Sequence, residues 1–345
     1  MITEQQRRLS RRKLLSGTMV MGTAGFFGLQ PGRVGAEPPP ETTRLRMIQI
    51  PRICQSPQYV AESLLRAEGF TDVQYIKKAG TEDIEKALAS GEADLNAHFA
   101  APLIRRVEAG DPIVILAGEH VGCFELFGTD RVRSISDLKG KTLVTGTVGG
   151  NTYFAALLFL SRFNWVPNRD VNLIGVGGSP EVLGALTQGR FPAGVLTAPT
   201  THLASRMGFR EIFDLASLDF PFPTVSVVSP RKYIETNPDV ILNVLRATSE
   251  AIYLYRTRPE VTLPVIAKYM RVPKDDPALL QSQETFAKHL NLTLAPSLDG
   301  IQFILDFLAE QRPALRGKNP AEFVNVSFLK KLEDEGFFKK LSGGQ

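Results

Sequence analysis

The sequence predicts an α/β protein of two similar lobes with mixed, mostly parallel sheets. Two observations carry that fold class. From residue 44 onward, short apolar strands alternate with amphipathic helical stretches, the grammar of strand–helix–strand units. The same order of elements then returns in the second third of the chain, with similar residues at matching steps.

The elements follow in order. Arg44–Pro51 reads as a strand. Pro57–Glu68 reads as a helix: Ser56 suits the cap, Pro57 the first turn and Gly69 the stop. Val73–Ile76 is an expected strand, Thr81–Ser90 a helix, Asp94–Ala97 a strand, Pro102–Glu108 a helix and Ile113–Ala117 a strand. The second round runs through strand Thr142–Thr145, helix Thr152–Phe163, strand Val171–Val176, helix Pro180–Gln188, strand Ala193–Thr197 and helix Pro199–Met207. Tyr59 and Tyr153 open the first helix of each round, and Asp72-Val73 and Asp170-Val171 lead into the second strands. Ala87-Leu88-x-x-Gly91 matches Ala185-Leu186-x-x-Gly189, and Ala101-Pro102 matches Ala198-Pro199. The last third loses the alternation. Helices are expected over Pro238–Arg256, Glu260–Tyr269 and Leu279–Leu308, with Val225–Ser229 re-entering the first lobe's sheet as a strand.

The first 36 residues read as an address. Arg7, Arg8, Arg11, Arg12 and Lys13 precede a weakly apolar run, and Val34-Gly35-Ala36 supplies small residues before a cut. Four glycines make that run a poor span, since a membrane helix takes about 20 apolar residues. Ser10-Arg11-Arg12-Lys13-Leu14-Leu15 looks like a twin-arginine signal, and an ordinary secretory signal also fits. No cysteine follows the run, so no lipid anchor is indicated. Residues 37–43, with three prolines, read as a stiff linker.

Charge follows from that reading. The chain holds 40 Lys and Arg against 36 Asp and Glu. Residues 1–36 hold six basic residues and one acidic, which leaves 34 against 35 in the remainder. The basic excess belongs to the leader, so a nucleic-acid partner is not expected. Two cysteines, Cys54 and Cys123, remain. An exported compartment permits a disulfide between them, and two free buried thiols fit equally well.

Several stretches resemble one family. Pro57–Phe70 (PQYVAESLLRAEGF), Ala87–Asp94 (ALASGEAD), Ile135–Thr145 followed by Gly149-Gly150-Asn151-Thr152, Val195–Gly208 and Asn237–Glu250 are similar to the periplasmic substrate-binding proteins of nitrate, sulfonate and taurine ABC importers. That family shares a domain with thiamine-pyrimidine binders. The resemblance implies a type II periplasmic binding protein fold, two α/β lobes joined by a hinge of two crossing strands. It divides the chain into a first lobe over 44–124, a second over 125–223 and a return to the first, with C-terminal helices, over 224–345. The hinges fall near Cys123–Phe127 and Pro221–Thr224. The first loop, Arg52–Ser56, and the hinge stretch, His120–Glu125, match no ligand-diagnostic pattern of the family.

A ligand in such sheets sits outside the carboxyl ends of the strands, between facing lobes. That rule selects Gln55, Ser56, Pro57, His98, Phe99 and Glu119 from the first lobe and Gly149, Gly150, Asn151, Thr152, Thr197 and Pro199 from the second, with Thr224 at the hinge. Gly149 and Gly150 let backbone approach a ligand, and Asn151 or Thr152 is expected to cap a helix whose N–H groups favour an anion. Ser56 would do the same from the facing side. Phe99 suits stacking, and Glu119 and Glu125 suit an ammonium or amidine. Cys54, His98, His120 and Cys123 all fall at expected strand ends of one lobe; soft donors of this kind suit zinc or copper, although their spacing fits no standard motif.

The expected activity is therefore binding without catalysis and without a cofactor. The resemblance implies an exported, periplasmic, monomeric protein that holds a small polar or anionic molecule (a sulfonate, taurine or nitrate) for an ABC permease and its ATPase. A pyrimidine or other thiamine-precursor ligand is the alternative, with a pyrimidine-synthase-like enzyme or a ligand sensor further behind. The cysteine-rich motif of that synthase is absent: only Cys123 precedes Phe124.

Overall fold

The computed structural model describes residues 40–343 apart from 51, 79–80 and 218–219. The expected leader and the first linker residues lie outside the described part. The rest of the linker is docked: the Glu41 carboxylate accepts from the N–H groups of Asp239 and Val240 at 3.0 and 3.1 Å.

Three sheets form. β1 (Arg44–Gln49) pairs in parallel with β2 (Asp72–Lys77) across helix α1 (Ser56–Ala67). Helix α2 (Thr81–Ala89), β3 (Asn96–Phe99), α3 (Ala100–Glu108) and β4 (Ile113–Val121) follow. β10 (Pro223–Pro230) lies between β3 and β4, antiparallel to both. All eight of its residues are buried, and its two prolines sit at the strand ends, where no central ladder bond is lost.

The third sheet is built from the intervening chain. β5 (Glu125–Gly128), β6 (Thr142–Thr145), α4 (Asn151–Ser161), β7 (Asn172–Gly175), α5 (Ser179–Thr187), β8 (Ala193–Leu196), α6 (Thr200–Arg206) and β9 (Arg210–Asp214) give the order β7-β6-β8-β5-β9. Of the seven strand pairings among the described residues, three are parallel and four antiparallel. The sheets are mixed, but the expected parallel majority is corrected. The antiparallel pairs all involve β5 or β10, the strands that receive the chain as it crosses between sheets. The two crossings run together: Gly122 N–H donates to Phe222 C=O at 3.0 Å, and Leu215 N–H to Phe124 C=O at 2.8 Å.

Side-chain amides join β1 to β3. Asn96 Oδ1 accepts from Ile48 N–H at 2.8 Å, and Gln58 donates to Ile48 C=O while accepting from Ala97 N–H. Asp94 N–H donates to Arg46 C=O, and its carboxylate takes Arg46 N–H at 2.7 Å. These links, all but one through side chains, stand in for a backbone ladder, and the strand expected from Asp94 begins at Asn96.

The remaining helices are α7 (Arg231–Thr236), α8 (Pro238–Thr257), α9 (Pro259–Met270), α10 (Pro277–His289), α11 (Leu298–Gln311), α12 (Ser327–Asp334) and α13 (Phe337–Leu341). The single helix expected over Leu279–Leu308 is two. Residues 290–297 run instead along the β4 edge, where Asn291 N–H donates to Glu119 C=O at 2.7 Å and Gly118 N–H to Leu294 C=O at 2.8 Å. α8 packs against α1 over a core of Leu45, Leu116, Val225 and Ile252. Among the described residues no helix is long and apolar enough to cross a membrane.

Candidate functional site

The loop between β1 and α1 is pinned at its base. β1 ends at Gln49, which leaves both backbone groups of Ile50 without a strand partner. The buried Tyr59 hydroxyl satisfies both, accepting from Ile50 N–H and donating to Ile50 C=O at 2.6 Å each. The Tyr59 ring stacks on Tyr269 with centroids 4.1 Å apart. Arg52–Gln55 are thereby held where the β1 chain emerges.

Arg52 carries the charge of this loop. Its guanidinium carbon lies 5.2 Å from the centre of the Phe99 ring. The guanidinium has no hydrogen bond or ion pair among the described residues. Burial lowers its pKa, and the charges of Cys54 and of Glu181 on α5 oppose that. In the same loop Gln55 is fully buried, and neither atom of its amide has a partner among the described residues. His98 is buried too, and neither ring nitrogen has a partner among the described residues. Burial first, and then Arg52, push its pKa down to about 3, so the ring is neutral. Three buried or half-buried polar groups lacking partners is an unusual local excess, because such groups are normally satisfied.

A second group of donors lies next to the first. Cys54 and Cys123 are free thiols with Sγ atoms 3.7 Å apart, and His120 Nε2 is 3.3 Å from Cys123 Sγ. Donor atoms of Cys54, His120 and Cys123 all fall within 4.8 Å of one another. His98 is not part of this group, which corrects the expected four-residue set. Contact with Cys123, then His120, draws the Cys54 thiol downward, while burial pushes the Cys123 thiol up. Glu119 points to the other face of β4, as alternation along a strand requires. It lines a void of about 10 Å³ with Met47 and Val227, and burial raises its carboxyl to about 8.

The glycine loop before α4 departs from expectation. The helix cap is Gly150, not Asn151 or Thr152. Thr152 Oγ1 accepts from Gly146 N–H at 3.0 Å. Asn151 is buried; its Oδ1 accepts from Ala101 N–H at 3.3 Å and its Nδ2 donates to Thr224 C=O at 2.9 Å. Ser56 likewise caps nothing: it is the first residue of α1 and its hydroxyl donates to Ile53 C=O at 2.6 Å. The Thr224 hydroxyl donates to Gly122 C=O. These polar atoms are spent on the fold. Pro57 is buried in the first turn of α1.

Gly149 and Gly150 line a groove of about 370 Å³ with Thr147, Glu85, Arg105 and Arg106. A Cβ built on Gly149 would meet the Arg105 guanidinium at 3.3 Å. Thr197 N–H donates to Ser179 Oγ at 2.8 Å, and Ala198, joined to Pro199 by a cis bond, packs on the apolar cluster that includes Cys54 and Phe99. The expected residues thus fall into two groups: Gln55, His98 and Phe99 by Arg52, and Gly149 and Gly150 by Arg105. Arg52 itself was missed, although the strand-end rule that selects Gln55 reaches it equally well.

A model of the NMT1/THI5-like family matches residues 57–261, more than half of the chain. The chain belongs to the NMT1/THI5-like family. No curated protein sequence matches it. Among solved structures, the periplasmic aliphatic sulphonate binding protein SsuA from Escherichia coli has a TM-score of 0.68 at 19% identity, covering 81% of this chain and 97% of that one. The periplasmic nitrate-binding protein NrtA from Synechocystis has a TM-score of 0.68 at 16% identity, covering 86% and 89%. The Candida albicans CA3427 product, described as having the generic periplasmic binding protein fold, has a TM-score of 0.60 at 15% identity, covering 84% and 94%. At these identities the likeness is one of fold. This family member therefore has the periplasmic binding protein fold expected from its sequence.

Proposed function

We propose that this protein is an exported solute-binding component of an ABC importer, which captures a small anionic organic molecule such as a sulfonate. The observation that carries the reading is the Arg52 guanidinium, half-buried over Phe99 with no ion pair among the described residues, in the same loop as Gln55, whose buried amide has no partner among them. A guanidinium offers a planar fork of donors to an oxyanion, and an adjacent ring covers the organic part. Sulfonate and nitrate binders among the similar structures support the ligand class.

In this reading the first lobe comprises 44–124 and 224–345 and the second 125–223. Supporting that division, β1–β4 and β10 make two sheets while β5–β9 make the third. Arg52, Gln55, His98 and Phe99 hold the ligand from the first lobe, and Thr197 and Pro199 cover it from the second. Residues 1–36 direct export, by the twin-arginine or the general route. The protein works as a monomer, without catalysis, and closure of the lobes is what its permease reads.

A thermal-shift screen of the tag-free chain tests this. Alkanesulfonates, taurine, nitrate, aromatic acids and pyrimidines are the classes to compare. A true ligand at a hundred times its Kd adds about 2.7 kcal/mol of stability. Anions alone should raise Tm; a response confined to neutral pyrimidines would sink the reading.

A further inference from the structure

We propose that Cys54, His120 and Cys123 form a binding site for one zinc-class ion. The three donors come from separate places: Cys54 from the loop after β1, His120 from the end of β4, and Cys123 from the first crossing between sheets. Cys123 is held in a left-handed conformation at φ 62, directly after Gly122 at φ 76. That turn brings its sulfur back toward His120 and Cys54.

The spacings suit metal coordination. An ion about 2.3 Å from each sulfur and about 2.05 Å from nitrogen, at tetrahedral angles, sets S···S at about 3.8 Å and S···N at about 3.6 Å. The observed separations are 3.7 and 3.3 Å. A disulfide would need the sulfurs to close to about 2.05 Å. His120 is also fixed in place, its ring set edge-on against Phe286 with centroids 4.7 Å apart.

Charge and donor type point the same way. Two thiolates and a neutral imidazole balance the charge of Zn2+, so the assembled site is neutral where Cys54 and His120 are buried. Binding takes both sulfurs as thiolates and releases to solvent whatever protons they hold. Three protein donors leave a fourth position open. The ion would bind the first loop to the crossing and so hold Arg52 and Gln55 in register with it.

The test uses the reduced, tag-free chain, titrated with Zn2+ against a chromophoric chelator and, in parallel, with Cd2+. One equivalent of Zn2+, a cadmium–thiolate charge-transfer band on the unsubstituted chain, and at least tenfold weaker binding in Cys54→Ser and Cys123→Ser are expected. The cadmium band reads thiolate coordination even where a substituted chain fails to fold. Absence of stoichiometric Zn2+ binding overturns the proposal. So does binding retained in both serine variants, or a native chain whose two thiols are quantitatively joined as a disulfide. An anion response in the thermal-shift screen without metal binding would leave the solute-binding reading standing and this one refuted.

Discussion

Asn151, on the first turn of α4, donates its side-chain amide to the Thr224 carbonyl on β10 at 2.9 Å. The other end of the same amide accepts from Ala101 N–H on α3. One buried side chain thereby ties the five-stranded sheet's first helix to the strand and helix across the crossing.

Asn151→Ala should destabilise the chain by about 1–3 kcal/mol, the cost of leaving buried backbone groups unpaired. Urea unfolding measures it. Ligand affinity should change far less than stability, because neither end of this amide is free to meet a solute.

Arg52→Gln should have the opposite signature. Removing a charge that no described residue pairs costs little stability, while an anionic solute loses a charged partner. At least a tenfold rise in Kd is expected, equivalent to about 1.4 kcal/mol. Calorimetric titration with the best anion from the screen checks it, and an unchanged Kd rules Arg52 out as the anchor.

Tyr59→Phe keeps the ring stacked on Tyr269 but strands the Ile50 N–H, while the Ile50 carbonyl keeps only its bond from Arg52 N–H. A loss of about 1–3 kcal/mol is expected for buried groups left without partners. Chemical denaturation reads the loss, and slower hydrogen exchange at Ile50 in the variant than in the parent would contradict the role.

Glu85 should make stability fall as pH rises. Its side chain is buried on α2, 3.6 and 3.7 Å from Arg105 and Arg106, with Glu82 and Asp111 also nearby. Burial lifts its pKa from 4.5 to about 7 despite the two arginines. Between those values the folded chain keeps a proton that the unfolded chain has released. The folded state is then penalised progressively up to about pH 7 and evenly above it. Glu85→Gln should flatten that slope and gain on the parent at pH 8.

His98 acts in the other direction. Its folded pKa of about 3 lies below the ordinary 6.5, so between those values the unfolded chain binds the extra proton. Stability contributed by the neutral ring is full above pH 6.5 and is lost as pH falls toward 3, by up to about 1.4 kcal/mol per pH unit. His98→Gln should remove this share of the acid slope in a melting series from pH 4 to 7.

Local pattern made most of the elements readable. Thr142–Thr145 and the helix from Pro238 stand where apolar runs and proline put them. The misses come from long-range pairing. β5 and β9 are short and carry charged residues, and their partners lie tens of residues away. The helix break after His289 reflects pairing with β4, which no helical periodicity announces. At the site, Ser56, Asn151 and Thr152 have the residue types of helix caps, yet other backbone groups claim their side chains, nearby ones for Ser56 and Thr152 and distant ones for Asn151. Cap chemistry is legible in four residues, whereas competition from a partner 50 positions away is not.

The central position of β10 also sets an order of events in synthesis. Its neighbours β3 and β4 are finished by Val121, but the strand that separates them begins at Pro223. Everything needed for the five-stranded sheet emerges from the ribosome in between. A nascent chain stopped after Asp214 thus carries two complete sheets and a third with a gap at its middle, flanked by two unpaired strand edges. Such edges invite pairing with other chains. For this protein the window of greatest aggregation risk opens when β4 is made and closes only when β10 slots between its neighbours.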